Sequence, residues 1–234
     1  YILSVFSFMS FGWGCIDDVE VELWGECYNI EETIFLNHFD GNLSGDIPES
    51  IGLLTNLVSI ILPFNQLTGE IPQSIQYLSE LEILDLRGNQ MTGEIGIISS
   101  LENLEGVFLS DNYFQGELPE DIGNLRYLIE LEINDNSLIG NIPVSIGDLH
   151  ELNELLLYNN SLNGEIPSTI GNMLNLEILS LFNNQLSGEI PNSICDIINN
   201  QYIIIENNQF CPPYPECIEY VGYQDTSECE EECP

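Results

Sequence analysis

Carboxylates are the residues of this chain best placed to do chemistry, because they recur at a fixed spacing. The position after a recurrent glycine reads Asp46, Glu70, Glu94, Glu117, Asn141, Glu165 and Glu189, and a second set places Asp111 and Asp135 one period apart, close to Glu130, Glu132 and Glu154. Rows of carboxylates suit two kinds of chemistry. Two carboxyls in unlike surroundings can divide acid and base roles, as glycoside hydrolysis requires; an oxygen-rich cluster can hold a hard divalent cation weakly. A repeated row gives its members like surroundings, which disfavours the hydrolase. The cation option makes Asp111 and Asp135 candidate ligands of a weak Ca²⁺ site, with no cofactor otherwise required. His38 and His150 sit in unrelated contexts, and there is no G-x-S-x-G, no H-E-x-x-H and no phosphate-cradling glycine loop. Nothing here pairs a nucleophile with a base, so the chain reads as non-enzymatic.

A repeat positions these carboxylates. Leu176 to Pro191 reads L-E-I-L-S-L-F-N-N-Q-L-S-G-E-I-P, and the same frame opens at Leu57, Leu81, Leu104, Leu128 and Leu152, with degenerate copies at Thr33 and Asn200. The starts lie 24 residues apart with one step of 23, and a period in this range means a solenoid. Offsets 3 and 5 alternate inward along a short strand, leaving offsets 2, 4, 6 and 7 outward. The asparagine at offset 8 recurs as Asn65, Asn89, Asn112, Asn136, Asn160, Asn184 and Asn208. Its amide has two donors and an acceptor for the backbone of adjacent turns, which predicts a buried ladder. Pro48, Pro72, Pro119, Pro143, Pro167 and Pro191 cannot donate to a sheet and send the chain around the far side, where I-G-x-L predicts a 3₁₀ turn.

With L-[ST]-G-x-I-P and S-I-G-x-L stretches, residues 33–211 resemble plant-type leucine-rich repeats, as in polygalacturonase-inhibiting proteins and plant receptor-kinase ectodomains. The low basic content is similar instead to secreted repeat proteins of marine bacteria. The resemblance implies an α/β solenoid, curved and right-handed, of about eight 24-residue repeats, with one concave parallel sheet and a 3₁₀ or irregular convex side. It specifies a fold rather than a function, because outward positions choose the ligand. Trp24-Gly25-Glu26-Cys27 resembles the N-terminal caps of plant members, which implies Cys15 as the partner of Cys27.

Composition narrows the function. The chain of 234 residues has 39 acidic residues, no lysine and only Arg87 and Arg126 as strong bases, a net charge of -37. Nucleic acid and anionic membrane both demand a cationic face and are excluded as partners. Hydrophobic residues still make up 44% and recur periodically, so the chain can bury a core. Residues 1–14 read as the tail of a secretory signal peptide, too short to span a bilayer; lipidation at Cys15 competes poorly, because Gly12 stands where a lipobox wants Leu. Cysteines fall only outside the regular repeats, at 15, 27, 195, 211, 217, 229 and 233, which predicts disulfide-stapled caps over 15–32 and 212–234 in an oxidising compartment. Sequence alone does not determine connectivity; Cys195–Cys211 and Cys217–Cys229 are the preferred pairs, a zinc site is the alternative, and the unpaired Cys233 suggests that the natural chain continues.

Three local departures carry no chemistry. His38 takes an inward offset, as a hydrogen-bonded residue beneath the N-terminal cap; Gly41 replaces the ladder asparagine; and the third repeat reads G-E-I-G, one residue short, which predicts a local irregularity.

The outward rows form two apolar patches around an acidic middle. Phe35, Phe39, Ile61, Phe64 and Ile83 make one; Leu156, Tyr158, Ile178, Phe182, Tyr202 and Ile204 make the other. Exposed aromatics on a concave sheet anchor proteins and peptides and stack on sugars. The sequence therefore predicts a secreted or cell-surface, extracellular, monomeric recognition module, binding a protein, peptide or glycan through Phe108, Glu132, Leu156, Tyr158, Ile178, Phe182, Tyr202 and Ile204. Rival readings are a structural or adhesive protein that uses acidic turns to bind Ca²⁺ and matrix, and an ice-binding protein. The last wants regular threonines, but the row after the ladder leucine runs Ser44, Thr68, Thr92, Gln115, Ile139, Asn163, Ser187.

Overall fold

The computed structural model describes residues 14–39, 41–197 and 202–229. The leader expected over 1–14, apart from Gly14, lies outside the described residues, as do Asn200 and Cys233. Each turn contributes one three-residue strand: Phe35–Asn37, Ser59–Ile61, Ile83–Asp85, Gly106–Phe108, Glu130–Glu132, Glu154–Leu156, Ile178–Ser180 and Tyr202–Ile204. They form one eight-stranded parallel sheet in chain order. The central residues Leu36, Ile60, Leu84, Val107, Leu131, Leu155, Leu179 and Ile203 align in register and point into the core. In one turn Leu81, Leu84, Leu86 and Met91 are all fully buried, and each such side chain contributes roughly 1.5–3 kcal/mol. Smaller parallel pairings lie beyond the ladder position of most turns, including Ser44–Asp46 with Gln66–Thr68 and the set Asn163–Gly164, Gln185–Glu189, Gln209–Cys211.

The ladder fastens turn to turn. Asn112 Nδ2 donates to the carbonyls of Leu109 and Ser110 in its own turn and of Leu86 in the turn before, at 3.0–3.2 Å, while its Oδ1 accepts the Met91 amide at 3.0 Å. Asn65, Asn89, Asn136, Asn160, Asn184 and Asn208 repeat the pattern. The expected burial holds for five of the seven, while Asn136 and Asn160 are half-buried; backbone groups at this depth are costly without partners, and the amide side chains supply them. In the first turn Gly41 leaves room for Asn65, whose Oδ1 would lie 2.6 Å from a Cβ placed there.

On the return side, 3₁₀ segments such as Glu49–Leu53, Gln73–Tyr77, Val144–Asp148 and Ser168–Asn172 each follow an extended proline with φ between -64° and -67°. The glycine of I-G-x-L has a steric cause: a Cβ on Gly52 would sit 2.5 Å from Ser74 Cβ in the next turn. In the third repeat Ile95, at φ -99°, replaces the extended proline, yet Gly96–Ser100 keeps the 3₁₀ turn, and the neighbouring pairing shrinks to one bridge between Glu94 and Gln115.

Both ends are closed by irregular segments. The hairpin Glu20–Leu23 with Glu26–Asn29 buries Val21 and Leu23 against the first turn, Cys15 and Cys27 are disulfide-bonded, and Trp24 Nε1 donates to the Asp46 carbonyl at 3.2 Å. His38 lies beneath it, its Nε2 2.8 Å from the Tyr28 hydroxyl, which burial pushes upward in pKa. At the other end the preferred cysteine pairs are corrected: Cys195 bonds Cys217, and Cys211 bonds Cys229, with Cα separations of 5.7 and 5.6 Å. The tail runs beside the eighth turn through Asn207 N to Tyr223 O and Asp225 N to Asn208 O. It thereby carries Cys229 to the last strand and Cys217 to the 3₁₀ segment Asn192–Ile197. Gln224 completes the ladder: its Oε1 accepts the Phe210 amide and its Nε2 donates to the Ile205 and Val221 carbonyls.

Candidate functional site

The outward residues of the sheet form the candidate site. Tyr158 and Phe182, at equal offsets in successive turns, stack with ring centres 4.5 Å apart and planes 9° from parallel. Burial, then Asp135, Asp111 and Glu132, holds the Tyr158 hydroxyl above its ordinary range. Leu156 and Ile178 flank the stack half-buried, whereas Tyr202 is 73% and Ile204 39% exposed. Ser180, in register between Leu156 and Ile204, is only 3% exposed, and its hydroxyl has no hydrogen-bond partner.

Beside this patch lies the acidic middle. Glu130 pairs in register with Glu154, and Glu132 lies between Phe108 and Leu156. Burial raises the Glu132 pKa; Arg87 opposes this, and Glu130, Glu154 and Asp85 add to it. Burial, Glu130 and Glu177 raise Glu154.

Two expectations about this face are corrected. Outward does not mean exposed: Ser59, Asp85, Ser110, Asn134 and Ser180 are all buried, because small or bent side chains sink between taller rows. Phe108 is not an open anchor either. Arg87 sits over its ring, and a Cβ on Gly106 would come within 2.7 Å of a ring carbon. The same arginine holds Asp85 at 3.0 Å and reaches Glu132 at 3.5 Å. The sequence marks Arg87 as one of two strong bases; its place at the centre of the face is visible in the structure alone.

At the other end Phe35, Phe39 and Phe64 are 57%, 64% and 58% exposed. Phe64 has φ +55°, a left-handed conformation in which its row otherwise uses Gly88, Asp111, Asp135, Asn159, Asn183 and Asn207. Ser59, beside Phe35 and Ile83 in register, also lacks a partner for its hydroxyl.

That left-handed row carries a second amide chain. Asn207 donates to Asn183, Asn183 to Asn159 and Asn159 to Asp135, whose other oxygen accepts from Asn134. Both Asp135 oxygens are thus engaged beside Asp111. Among the described residues no group of three or more His, Cys, Asp or Glu is gathered closely enough to hold a metal ion. The flank carboxylates have a packing role: a Cβ on Gly93 would meet Glu70 Cγ at 2.5 Å, and Gly116, Gly140 and Gly188 are covered in the same way by Glu94, Glu117 and Glu165. Among the described residues no helix is long and apolar enough to cross a membrane.

A family profile described as Leucine Rich Repeat matches residues 103–125, 151–173 and 175–197. No curated protein matches the chain. Among solved structures, a plant peptide hormone receptor, RGFR1, in complex with RGF2, is 36% identical over 76% of this chain and 29% of its own, with a TM-score of 0.75. The ectodomain of the Arabidopsis thaliana membrane receptor kinase GASSHO1/SCHENGEN3, in complex with CASPARIAN STRIP INTEGRITY FACTOR 2, is 32% identical over 79% of this chain and 25% of its own, with a TM-score of 0.72. The chain therefore spans between 25% and 29% of the length of these two receptor structures. A plant ice-binding protein, 21% identical over 89% of this chain and 83% of its own with a TM-score of 0.57, shares the fold.

Proposed function

We propose that this plant-type leucine-rich repeat protein is an extracellular, non-enzymatic recognition module that holds a protein or peptide on the C-terminal half of its sheet face. The observation that carries the reading is the stacked Tyr158–Phe182 pair, bordered by exposed Tyr202 and Ile204. Rigid aromatic area of this kind anchors partners at low entropic cost. The peptide hormone receptor among the similar structures supports a polypeptide ligand, and three disulfides support an oxidising compartment. The ice-binding alternative loses support at Thr68 and Thr92, whose hydroxyls already donate to Asp46 and to the Gly69 carbonyl.

An array of extracellular proteins, peptides and glycans probed with the folded domain tests the proposal. Polypeptide ligands should emerge, and Tyr158→Ala and Phe182→Ala should each weaken them by at least about 1 kcal/mol with the fold intact. Ligands that are exclusively glycans, or that bind both variants normally, overturn it.

A further inference from the structure

Building on that reading, we propose that the polypeptide is basic: a segment that sets Lys or Arg side chains among Glu130, Glu132 and Glu154 and lays a neighbouring apolar residue along Tyr158 and Phe182. Charge complementarity is the first support. The three glutamates occupy two adjacent strands in register, and among the described residues the ion pairs of this region come from Arg87 alone, to Asp85 and, more distantly, to Glu132. Glu130 and Glu154 face each other in register, and among the described residues no arginine bridges them, a repulsion that an incoming cationic side chain would relieve.

Position is the second support. The carboxylates adjoin an apolar wall, Leu156 in register with Glu132 and then the stacked rings, and a charge pair at such a boundary is stronger than one in open water. The third is Ser180, on the row of Glu132 and Leu156, whose hydroxyl is buried without a partner. A buried hydroxyl is normally satisfied, and a peptide main chain that displaces the covering side chains offers both a donor and an acceptor. An acidic peptide would meet like charge here, and a neutral one would leave the glutamates desolvated and unpaired.

A phage-displayed library of random dodecapeptides, selected on the folded domain at physiological salt, supplies the probes. Their affinities are measured by calorimetry for the wild type, for Tyr158→Ala, for Glu130→Gln/Glu132→Gln/Glu154→Gln, and for the flank control Glu117→Gln/Glu165→Gln/Glu189→Gln, which removes the same charge elsewhere. Glutamine keeps the shape and lowers repulsion, and circular dichroism confirms folding; the single variant Glu154→Gln serves if the combined sheet variant fails. The selected peptides should carry basic residues next to an apolar one. The sheet-face variant should weaken them at least about tenfold and the flank control less than about twofold. Peptides that depend on Tyr158 but are neutral or acidic, or that weaken equally in both triple variants, overturn the basic assignment and leave the recognition face standing. Peptides indifferent to both Tyr158→Ala and the sheet-face variant overturn the two together.

Discussion

Arg87 sits over the ring of Phe108, its guanidinium carbon 4.8 Å from the ring centre, while its fork grips Asp85 at 3.0 Å. The arrangement covers an apolar ring, neutralises a carboxylate buried on the sheet face, and separates the N-terminal aromatic patch from the acidic middle. It also confines the open apolar surface of the C-terminal half to the turns beyond Glu132.

Removing Arg87 should therefore cost stability. The Asp85 side chain is only 5% exposed, and a carboxylate stranded at that depth is expected to destabilise the fold by about 3 kcal/mol in Arg87→Leu. Adding Asp85→Asn should recover most of the loss. Urea unfolding of the single and double variants checks this; an Arg87→Leu cost below about 0.5 kcal/mol would mean that Asp85 is stable without its partner.

The two amide chains should differ in weight. Asn136 serves backbone groups of two turns, so Asn136→Ala should cost about 1–3 kcal/mol. Asn183 links only side chains at an exposed edge, and Asn183→Gly, which removes the amide while suiting the left-handed backbone at φ +53°, should cost less than about 0.5 kcal/mol. Equal costs would show that the edge chain is structural.

The sign of the pH response follows from Glu132 and Glu154, both raised above the ordinary glutamate range, chiefly by burial. A raised folded-state value means the native form takes up protons more readily than the unfolded one. These glutamates thus oppose folding at neutral pH, and the penalty lifts as pH falls through their folded values toward the unfolded one. Tm should rise on mild acidification from neutral pH, and Glu132→Gln/Glu154→Gln should be more stable at neutral pH with a smaller rise. A wild-type Tm that only falls over that window contradicts the assignment.

With a net charge of -37, screening should stabilise the fold, so Tm should rise from low-salt, chelated buffer to seawater-like NaCl. Calcium at matched ionic strength separates screening from capture. A gain seen with calcium alone and lost in Asp111→Asn/Asp135→Asn places the ion between those turns, and equal gains assign the whole effect to screening. A Tm indifferent to both salts would remove charge repulsion from the picture.

Much of this structure is legible in the sequence where the repeat imposes one geometry many times. Leu179 and Leu181 point inward because two-residue alternation leaves no other choice, and the recurrence of Asn184 marks a side chain doing backbone work. The doublets Asn159-Asn160, Asn183-Asn184 and Asn207-Asn208 also fit the left-handed row, since asparagine tolerates that conformation, whereas the amide chain along it depends on side-chain rotamers. The rest depends on features without a period. Gln224 takes the geometry of a ladder residue with no repeat around it, and the path of that tail decides which cysteines meet. Asp85 is buried by the reach of one long neighbour, a rotamer fact that spacing does not encode.

The most direct test of the recognition face compares the affinity of one selected polypeptide for the wild type, Tyr158→Ala/Phe182→Ala and Phe35→Ala/Phe64→Ala. Loss in the first double variant by about tenfold or more, with the second within about twofold of wild type, is the expected result. Unchanged binding in Tyr158→Ala/Phe182→Ala, with the loss falling on Phe35→Ala/Phe64→Ala or on neither, would contradict a site on the C-terminal half of the sheet.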